Sequence, residues 1–86
     1  MKIAGSVALV TGANRGLGAH FAAQLLERGA AKVYAAARNP DAVTLAGVEV
    51  LALDLLDQAS IDAAVLAAPD VTLLINNAGV DAGLVQ

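Results

Sequence analysis

The chain has no cysteine and no tryptophan, and only 2% of its residues are aromatic. Without cysteine it can form neither a disulfide nor a thiolate-ligated metal site. It also lacks an apolar run approaching the roughly 18 residues of a membrane helix, and residues 1–5 are too few for a secretory signal. Five basic and eight acidic residues give a net charge of -3, which argues against a nucleic-acid partner. We therefore expect a cytoplasmic protein that binds neither nucleic acid nor a membrane.

Hydrophobic residues nevertheless make up 58% of the 86 residues. Continuous apolar runs without polar alternation are typical of parallel strands that are buried on both faces. A chain this short buries a smaller fraction of its surface than a longer one does. We therefore expect residues 1–86 to be part of a larger fold.

The most informative stretch is a glycine-rich loop, Thr11-Gly12-Ala13-Asn14-Arg15-Gly16-Leu17-Gly18. An apolar run leads into it and an amphipathic run follows it, which predicts a strand, a tight loop and a helix. Glycine allows a sharp turn and lets the backbone approach a ligand closely. The free N–H groups at the start of the helix favour a phosphate. The loop therefore predicts a nucleotide site.

The glycine spacing, G-x-x-x-G-x-G, differs from the G-x-G-x-x-G dinucleotide motif. It also differs from a P-loop, because no Gly-Lys-Ser/Thr follows. Taken alone, the pattern is not specific, and a purely structural turn is the alternative. Its position between a strand and a helix favours the nucleotide site.

Periodicity along the chain predicts four strands, at residues 6–10, 32–37, 48–53 and 71–75. A helix follows the glycine loop and ends at Gly29, a short helical turn starts after Asn39 and ends by Gly47, and another helix runs from Asp57 to Pro69. Alternating strands and helices are typical of a parallel sheet. The predicted fold is α/β: a partial, doubly wound, Rossmann-like sheet of four parallel strands in the order 3-2-1-4, with helices on both faces.

Helical spacing also predicts which side chains face the sheet. In the first helix the expected apolar face comprises Leu17, Phe21, Ala22, Leu25 and Leu26. His20 falls on the opposite, solvent-facing side, where it has no partner suited to catalysis. In the second helix the expected apolar face comprises Ile61, Ala64, Val65 and Ala68.

Polar residues follow each predicted strand: the glycine loop, then Arg38, then Asp54, and finally Asn76-Asn77-Ala78-Gly79. The carboxyl ends of parallel strands lie at one edge of the sheet, so these residues should converge on one crevice. With T-G-x-x-x-G-x-G after strand one and N-N-A-G after strand four, the chain resembles the short-chain dehydrogenase/reductase family. The resemblance covers essentially the whole of this chain but only the cofactor-binding front part of a family member. It implies that residues 1–86 are the N-terminal half of a Rossmann-like dinucleotide-binding domain, incomplete relative to the family.

The end of the second strand bears on the choice of cofactor. An acidic residue there holds the ribose 2′-hydroxyl of NAD, whereas an arginine accommodates the 2′-phosphate of NADP. Here the strand ends in Arg38, and Arg15 adds a second positive charge. NADP-preferring members of the family carry basic residues at both positions, so the resemblance implies NADP(H). The alternative is that both arginines are ordinary surface cations.

The resemblance implies roles for further residues. Asp54-Leu55 matches the family's pair at the adenine, although Asp54 could instead only cap a turn. Asn77-Ala78-Gly79 matches the stretch that passes the adenine-side ribose, with the asparagine bracing the central strands. The complete set of expected cofactor-binding residues is Gly12, Asn14, Arg15, Gly16, Leu17, Gly18, Arg38, Asp54, Leu55, Asn77, Ala78 and Gly79.

Catalysis in the family uses a serine and a Tyr-x-x-x-Lys pair, and the 86 residues contain neither at a matching place. Tyr34-Ala-Ala-Ala-Arg38 is a near match, but it lies on a strand, and arginine cannot tune a proton transfer as lysine does. We therefore expect these residues alone to be inactive. They would supply the dinucleotide-binding part of an NADP(H)-dependent oxidoreductase that transfers hydride between nicotinamide and a carbonyl or alcohol substrate.

A second hypothesis is a non-catalytic module that binds a nucleotide or associates with itself. The fourth strand should present an apolar edge at residues 71–75, and such edges pair with other chains. We therefore expect a homo-oligomer.

Overall fold

The computed structural model of the protein describes residues 3–14 and 16–77. Its elements, in chain order, are strand β1 (Val7–Thr11), helix α1 (Gly16–Glu27), strand β2 (Lys32–Ala37), a 3-10 turn (Pro40–Ala42), strand β3 (Glu49–Ala52), helix α2 (Gln58–Ala67) and strand β4 (Leu73–Ile75). The 3-10 turn is shorter than expected, because the chain is already extended at Val43. None of the helices in the described residues is both long and apolar enough to cross a membrane.

The four strands form one parallel sheet in the order β3-β2-β1-β4. Leu9 on β1 lies between Tyr34 on β2 and Leu74 on β4. The chain first moves outward from β1 to β3 and then returns to the other side of β1 through α2. The fold and strand order predicted from the sequence are therefore confirmed.

One face of the sheet packs on α1. The buried side chains of this layer are small, and they are Ala8, Val10, Ala13, Ala22, Leu25, Val33 and Ala35. Small side chains let the helix lie close to the strands. The helix ends as expected at Gly29, whose φ is 88°, with N–H groups of Gly29 and Ala30 donating to the carbonyls of Leu26 and Leu25.

The first turn of α1 differs from the expected apolar face. Leu17 is 52% exposed, whereas Gly18 is buried and faces the sheet. The helix starts in close contact with the glycine loop, which a leucine side chain could not enter. Leu17 therefore points away from the sheet, and our prediction for it was wrong. His20 is exposed, as predicted.

The opposite face packs on α2. Its buried residues are Leu9, Tyr34, Ala36 and Ala68. In α2 itself Ala64 is buried, but Val65 is 64% exposed, so the expected apolar face was wrong at that position. Of the expected face, Ala64 and Ala68 are buried and Ile61 is half-buried. The two helices thus cover opposite faces, as predicted.

A polar cluster at the amino ends of the strands fixes Tyr34. Its hydroxyl donates to Asp70 Oδ1 at 2.8 Å, and Lys32 Nζ lies 3.1 Å from Asp70 Oδ2. The hydrogen bonds from Tyr34 and Lys32 lower the pKa of Asp70, and those to Asp70 and Tyr34 raise the pKa of Lys32. The Tyr34 hydroxyl thus ties β2 to the segment before β4, at the end of the sheet opposite to Arg38.

Candidate functional site

The predicted site residues follow the carboxyl ends of the four strands, as expected from a parallel sheet. The glycine loop follows β1, Arg38 follows β2, Asp54 comes two residues after β3, and Asn77 follows β4. In the order β3-β2-β1-β4, β1 is the point at which the chain changes direction. Ligands of open α/β sheets bind at such a point. Arg15, Ala78 and Gly79, which we also expect in the site, lie outside the described residues.

The glycine loop turns through two residues in the left-handed region. Gly12 has a φ of 63° and Gly16 a φ of 57°, a conformation that side chains other than glycine rarely adopt. Between them, the Ala13 N–H donates to the Ala36 carbonyl at 3.0 Å. The loop therefore folds over the end of β2 before α1 begins.

Because Gly18 has no side chain, the first turn of α1 packs directly against the Gly12 carbonyl and the Asn77 side chain. A Cβ at this position would overlap the Gly12 carbonyl and lie 2.7 Å from Asn77 Nδ2. Such distances are too short for non-bonded atoms, so no larger residue fits without displacement. Gly18 thus brings the first turn of α1, the loop and the segment after β4 to one place.

Thr11 and the asparagines after β4 form a partly buried hydrogen-bond network. Thr11 Oγ1 accepts from the Asn77 N–H at 2.8 Å and donates to Asn76 Oδ1 at 3.0 Å. The Asn77 side chain adds a longer contact, 3.5 Å from Nδ2 to the Gly12 carbonyl oxygen. Thr11 and Asn77 are only 4% and 7% exposed. This network joins the ends of β1 and β4.

The segment after β3 is a tight turn. Leu53 N–H donates to the Ala37 carbonyl at 2.9 Å, so β3 stays attached to β2 immediately before Asp54. Asp54 Oδ1 then accepts from Leu56 N–H at 3.0 Å. Asp57 caps α2 as predicted, accepting from Ala59 N–H at 3.1 Å. Asp54 is half-buried and Leu55 is 42% exposed, so both are accessible at the carboxyl end of β3.

Arg38 is exposed at the end of β2. The salt bridge in the described part of the chain joins Lys32 to Asp70, so Arg38 has no carboxylate partner among those residues. Its guanidinium is therefore available to an anionic group. Residues 36–39, at the end of β2, contain no carboxylate.

The chain matches a known protein family. The short chain dehydrogenase family model matches residues 6–86. The chain belongs to this family. Retinol dehydrogenase 11 of Mus musculus is 41% identical to this chain in an alignment that covers 93% of this chain and 30% of the mouse protein.

Solved structures of short-chain dehydrogenases are similar as well. A short chain dehydrogenase from Burkholderia cenocepacia J2315, in complex with NADP, is 46% identical with a TM-score of 0.85, over 90% of this chain and 33% of that one. An NADPH-bound carbonyl reductase from chicken fatty liver is 32% identical with a TM-score of 0.73, over 86% and 34%. The chain spans about a third of the length of the curated relatives it matches.

Two residues of the hydrogen-bond network beneath the glycine loop, Thr11 and Asn76, are missing from the set predicted from the sequence. Thr11 stands in the motif, but its role depends on a neighbour 66 positions away, which spacing along the chain does not reveal. A hint was available, because a polar residue ending a buried strand needs a hydrogen-bond partner. Among the described residues, no group of His, Cys, Asp and Glu could hold a metal ion.

Replacement of Thr11 by valine should destabilise the protein by about 1–3 kcal/mol, because the buried Asn77 N–H would lose its acceptor at nearly unchanged volume. Urea denaturation of Thr11→Val and Thr11→Ser would measure it. Serine keeps the hydroxyl and should retain most of the stability that valine loses. Equal stability of Thr11→Val and the wild type would contradict the prediction.

Proposed function

We propose that this chain supplies the dinucleotide-binding part of an NADP(H)-dependent oxidoreductase. The observation that carries the proposal is the packing of Gly18 against the Gly12 carbonyl and Asn77. It places the N-terminus of α1 beside the ends of β1 and β4, where a pyrophosphate would meet the N–H groups of the helix.

The loop fits such a group. A side chain at Gly18 would fill the space on which the loop rests, whereas a Cβ at Gly16 would meet no described atom within 4 Å. The backbone at Gly16 is therefore open to close approach. The residues that we assign to the pyrophosphate and its surroundings are Gly12, Asn14, Arg15, Gly16, Leu17 and Gly18.

The adenosine half would lie across the ends of β2, β3 and β4. Arg38 would bind the 2′-phosphate through two charge-assisted hydrogen bonds, and Asp54 with Leu55 would border the adenine. Asn77, Ala78 and Gly79 would pass the adjoining ribose. The position of Arg38 supports NADP over NAD, as does the NADP bound to the Burkholderia relative and the NADPH bound to the chicken carbonyl reductase.

The proposed reaction is hydride transfer between the nicotinamide and the carbonyl or alcohol carbon of a small substrate, with the nicotinamide as hydride donor or acceptor. The 86 residues lack the serine and Tyr-x-x-x-Lys of the family, so alone they would bind the dinucleotide without turnover. A cytoplasmic location is a further part of the proposal.

The proposal can be tested by titrating the protein with NADPH and with NADH and measuring the fluorescence of the reduced dinucleotide as it binds. We expect NADPH to bind roughly tenfold to a hundredfold more tightly than NADH, because a hydrogen bond between charged groups contributes about 1.5–3 kcal/mol. NADH binding as tightly as NADPH would contradict the cofactor assignment. Failure to bind either dinucleotide would contradict the function itself.

One observation favours self-association as an additional property. Leu74 is 62% exposed on β4, which ends the sheet among the described residues. An apolar strand at the edge of a sheet tends to pair with another chain. We therefore propose a homo-oligomer that uses this strand, and sedimentation of a single monomeric species at high concentration would contradict it.

A further inference from the structure

Ser60 makes a hydrogen bond that its position in a helix does not require. It is the third residue of α2, yet its Oγ accepts from the Asp54 N–H at 2.8 Å, six residues back along the chain. Serine is a poorer helix former than alanine because its hydroxyl competes for nearby backbone groups. Here the hydroxyl reaches across the turn and holds the residue that follows β3.

This bond completes the restraint of Asp54. The residue before it is tied to β2 by the bond from Leu53 N–H to the Ala37 carbonyl. The turn is closed behind it by the bond from Asp57 N–H to the Asp54 carbonyl, 3.0 Å. Ser60 therefore anchors the only part of the Asp54 backbone, its N–H, that the strand and the turn leave to another partner.

The restraint sets the direction of the Asp54 carboxylate. Oδ1 accepts from Leu56 N–H at 3.0 Å, whereas Oδ2 has no hydrogen bond to the described residues. With the backbone and Oδ1 both fixed, Oδ2 is held in one place as an acceptor at the carboxyl end of β3. A fixed acceptor binds a donor without the entropy cost of ordering itself.

We propose that Ser60 is a positioning residue for adenine recognition, holding Asp54 so that its carboxylate accepts from the 6-amino group of the base. The inference rests on the proposed dinucleotide function. It predicts that Ser60 acts on the choice of base and not on the 2′-phosphate, because Arg38 follows a different strand.

The test compares NADPH with its hypoxanthine analogue, which carries a carbonyl oxygen where adenine has the amino group. The protein as its natural source produces it should prefer NADPH by about tenfold, the size of one hydrogen bond to a charged group. Ser60→Ala should reduce this preference to about threefold or less. Ser60→Thr keeps the hydroxyl and should restore it, and Ser60→Cys, with a weaker acceptor, should fall between.

Gln58→Ala is the matched control, since Gln58 lies on the same turn of α2 and bonds Asp62 instead. It should leave the preference at the wild-type value. A variant that only destabilised the protein would lower the affinity for both ligands alike and leave the ratio of the two affinities unchanged. An unchanged ratio in Ser60→Ala, or in Ser60→Cys if the alanine variant does not fold, overturns the inference.

The wild type separates this inference from the function on which it rests. If it binds NADPH and the analogue equally, the positioning role is overturned and the NADP(H) function stands. If it binds neither, the function fails and the inference fails with it.

Discussion

Gly18→Ala should destabilise the protein by about 2–3 kcal/mol, the usual cost of forcing extra atoms into a packed interior. The added Cβ would overlap the Gly12 carbonyl and crowd Asn77 Nδ2. Both obstacles are held in place: the carbonyl belongs to backbone, and the Asn77 N–H is bonded to Thr11. Thermal unfolding should give a lower Tm, and NADPH affinity should fall because α1 is displaced from the loop.

The sign of this effect is informative. Inside an ordinary helix, replacing glycine by alanine stabilises by about 1 kcal/mol. A loss at Gly18 would therefore have to come from the close approach and not from helix propensity. Unchanged or increased stability of Gly18→Ala would contradict the packing on which the proposed function depends.

Gly29→Ala is a control of the opposite kind. Its φ of 88° makes alanine strained there, but the nearest atoms to an added Cβ, those of Ala4, are at 3.8 Å. The expected cost is roughly 1–2 kcal/mol from the backbone alone. Since Gly29 follows the far end of α1, this variant should leave NADPH binding at the wild-type level.

The strand order could be predicted because the strands are mainly apolar and each connection is long enough for a crossover. The exact start of β4 could not be. Thr72 N–H donates to the Val7 carbonyl, and the Thr72 hydroxyl accepts from Val7 N–H at 3.0 Å. The hydroxyl takes the Val7 N–H that a backbone carbonyl would otherwise accept, so β4 begins at Leu73, two residues later than the pattern predicts.

The candidate site also contains positions that the sequence predicts and positions that it does not. Sequence pattern places Arg38, Asp54 and Asn77 at the ends of strands, and parallel pairing is enough to bring them to one edge. The hydroxyls that hold these positions are different, because Thr11 and Ser60 act through bonds to distant backbone groups. Spacing predicts which residues follow the strands, but it does not reveal which hydroxyls hold those residues in place.

Sequence spacing also misplaced two residues on the faces of the helices, because packing distances cannot be predicted from it. Hydrophobicity alone favours Leu17 as a core residue and gives no weight to Gly18, yet the structure buries the glycine. The deciding quantity is the distance between α1 and the loop, which depends on the fold as a whole. Val65 is likewise exposed, although Ala64 beside it is buried.

Arg38→Ala should reduce NADPH affinity by roughly tenfold to a hundredfold and leave NADH affinity nearly unchanged, because only NADPH carries the 2′-phosphate. Arg38→Asp should go further and reverse the preference, since a carboxylate repels the phosphate and can accept from the ribose hydroxyl of NADH. Arg38 is exposed and has no ion-pair partner in the described part of the chain. Neither variant should therefore change the Tm appreciably. Fluorescence titration with both dinucleotides measures the ratio.

Arg28→Ala is the matched control for charge. It removes the same side chain from another exposed position, just after the end of α1 and away from the carboxyl ends of the strands. A long-range attraction for anions would weaken NADPH binding similarly in both alanine variants and would be screened by salt. A local contact weakens it only in Arg38→Ala. Equal loss of NADPH and NADH affinity in Arg38→Ala would mean that this arginine acts on the protein and not on the phosphate, and the assignment of NADP(H) would then be wrong.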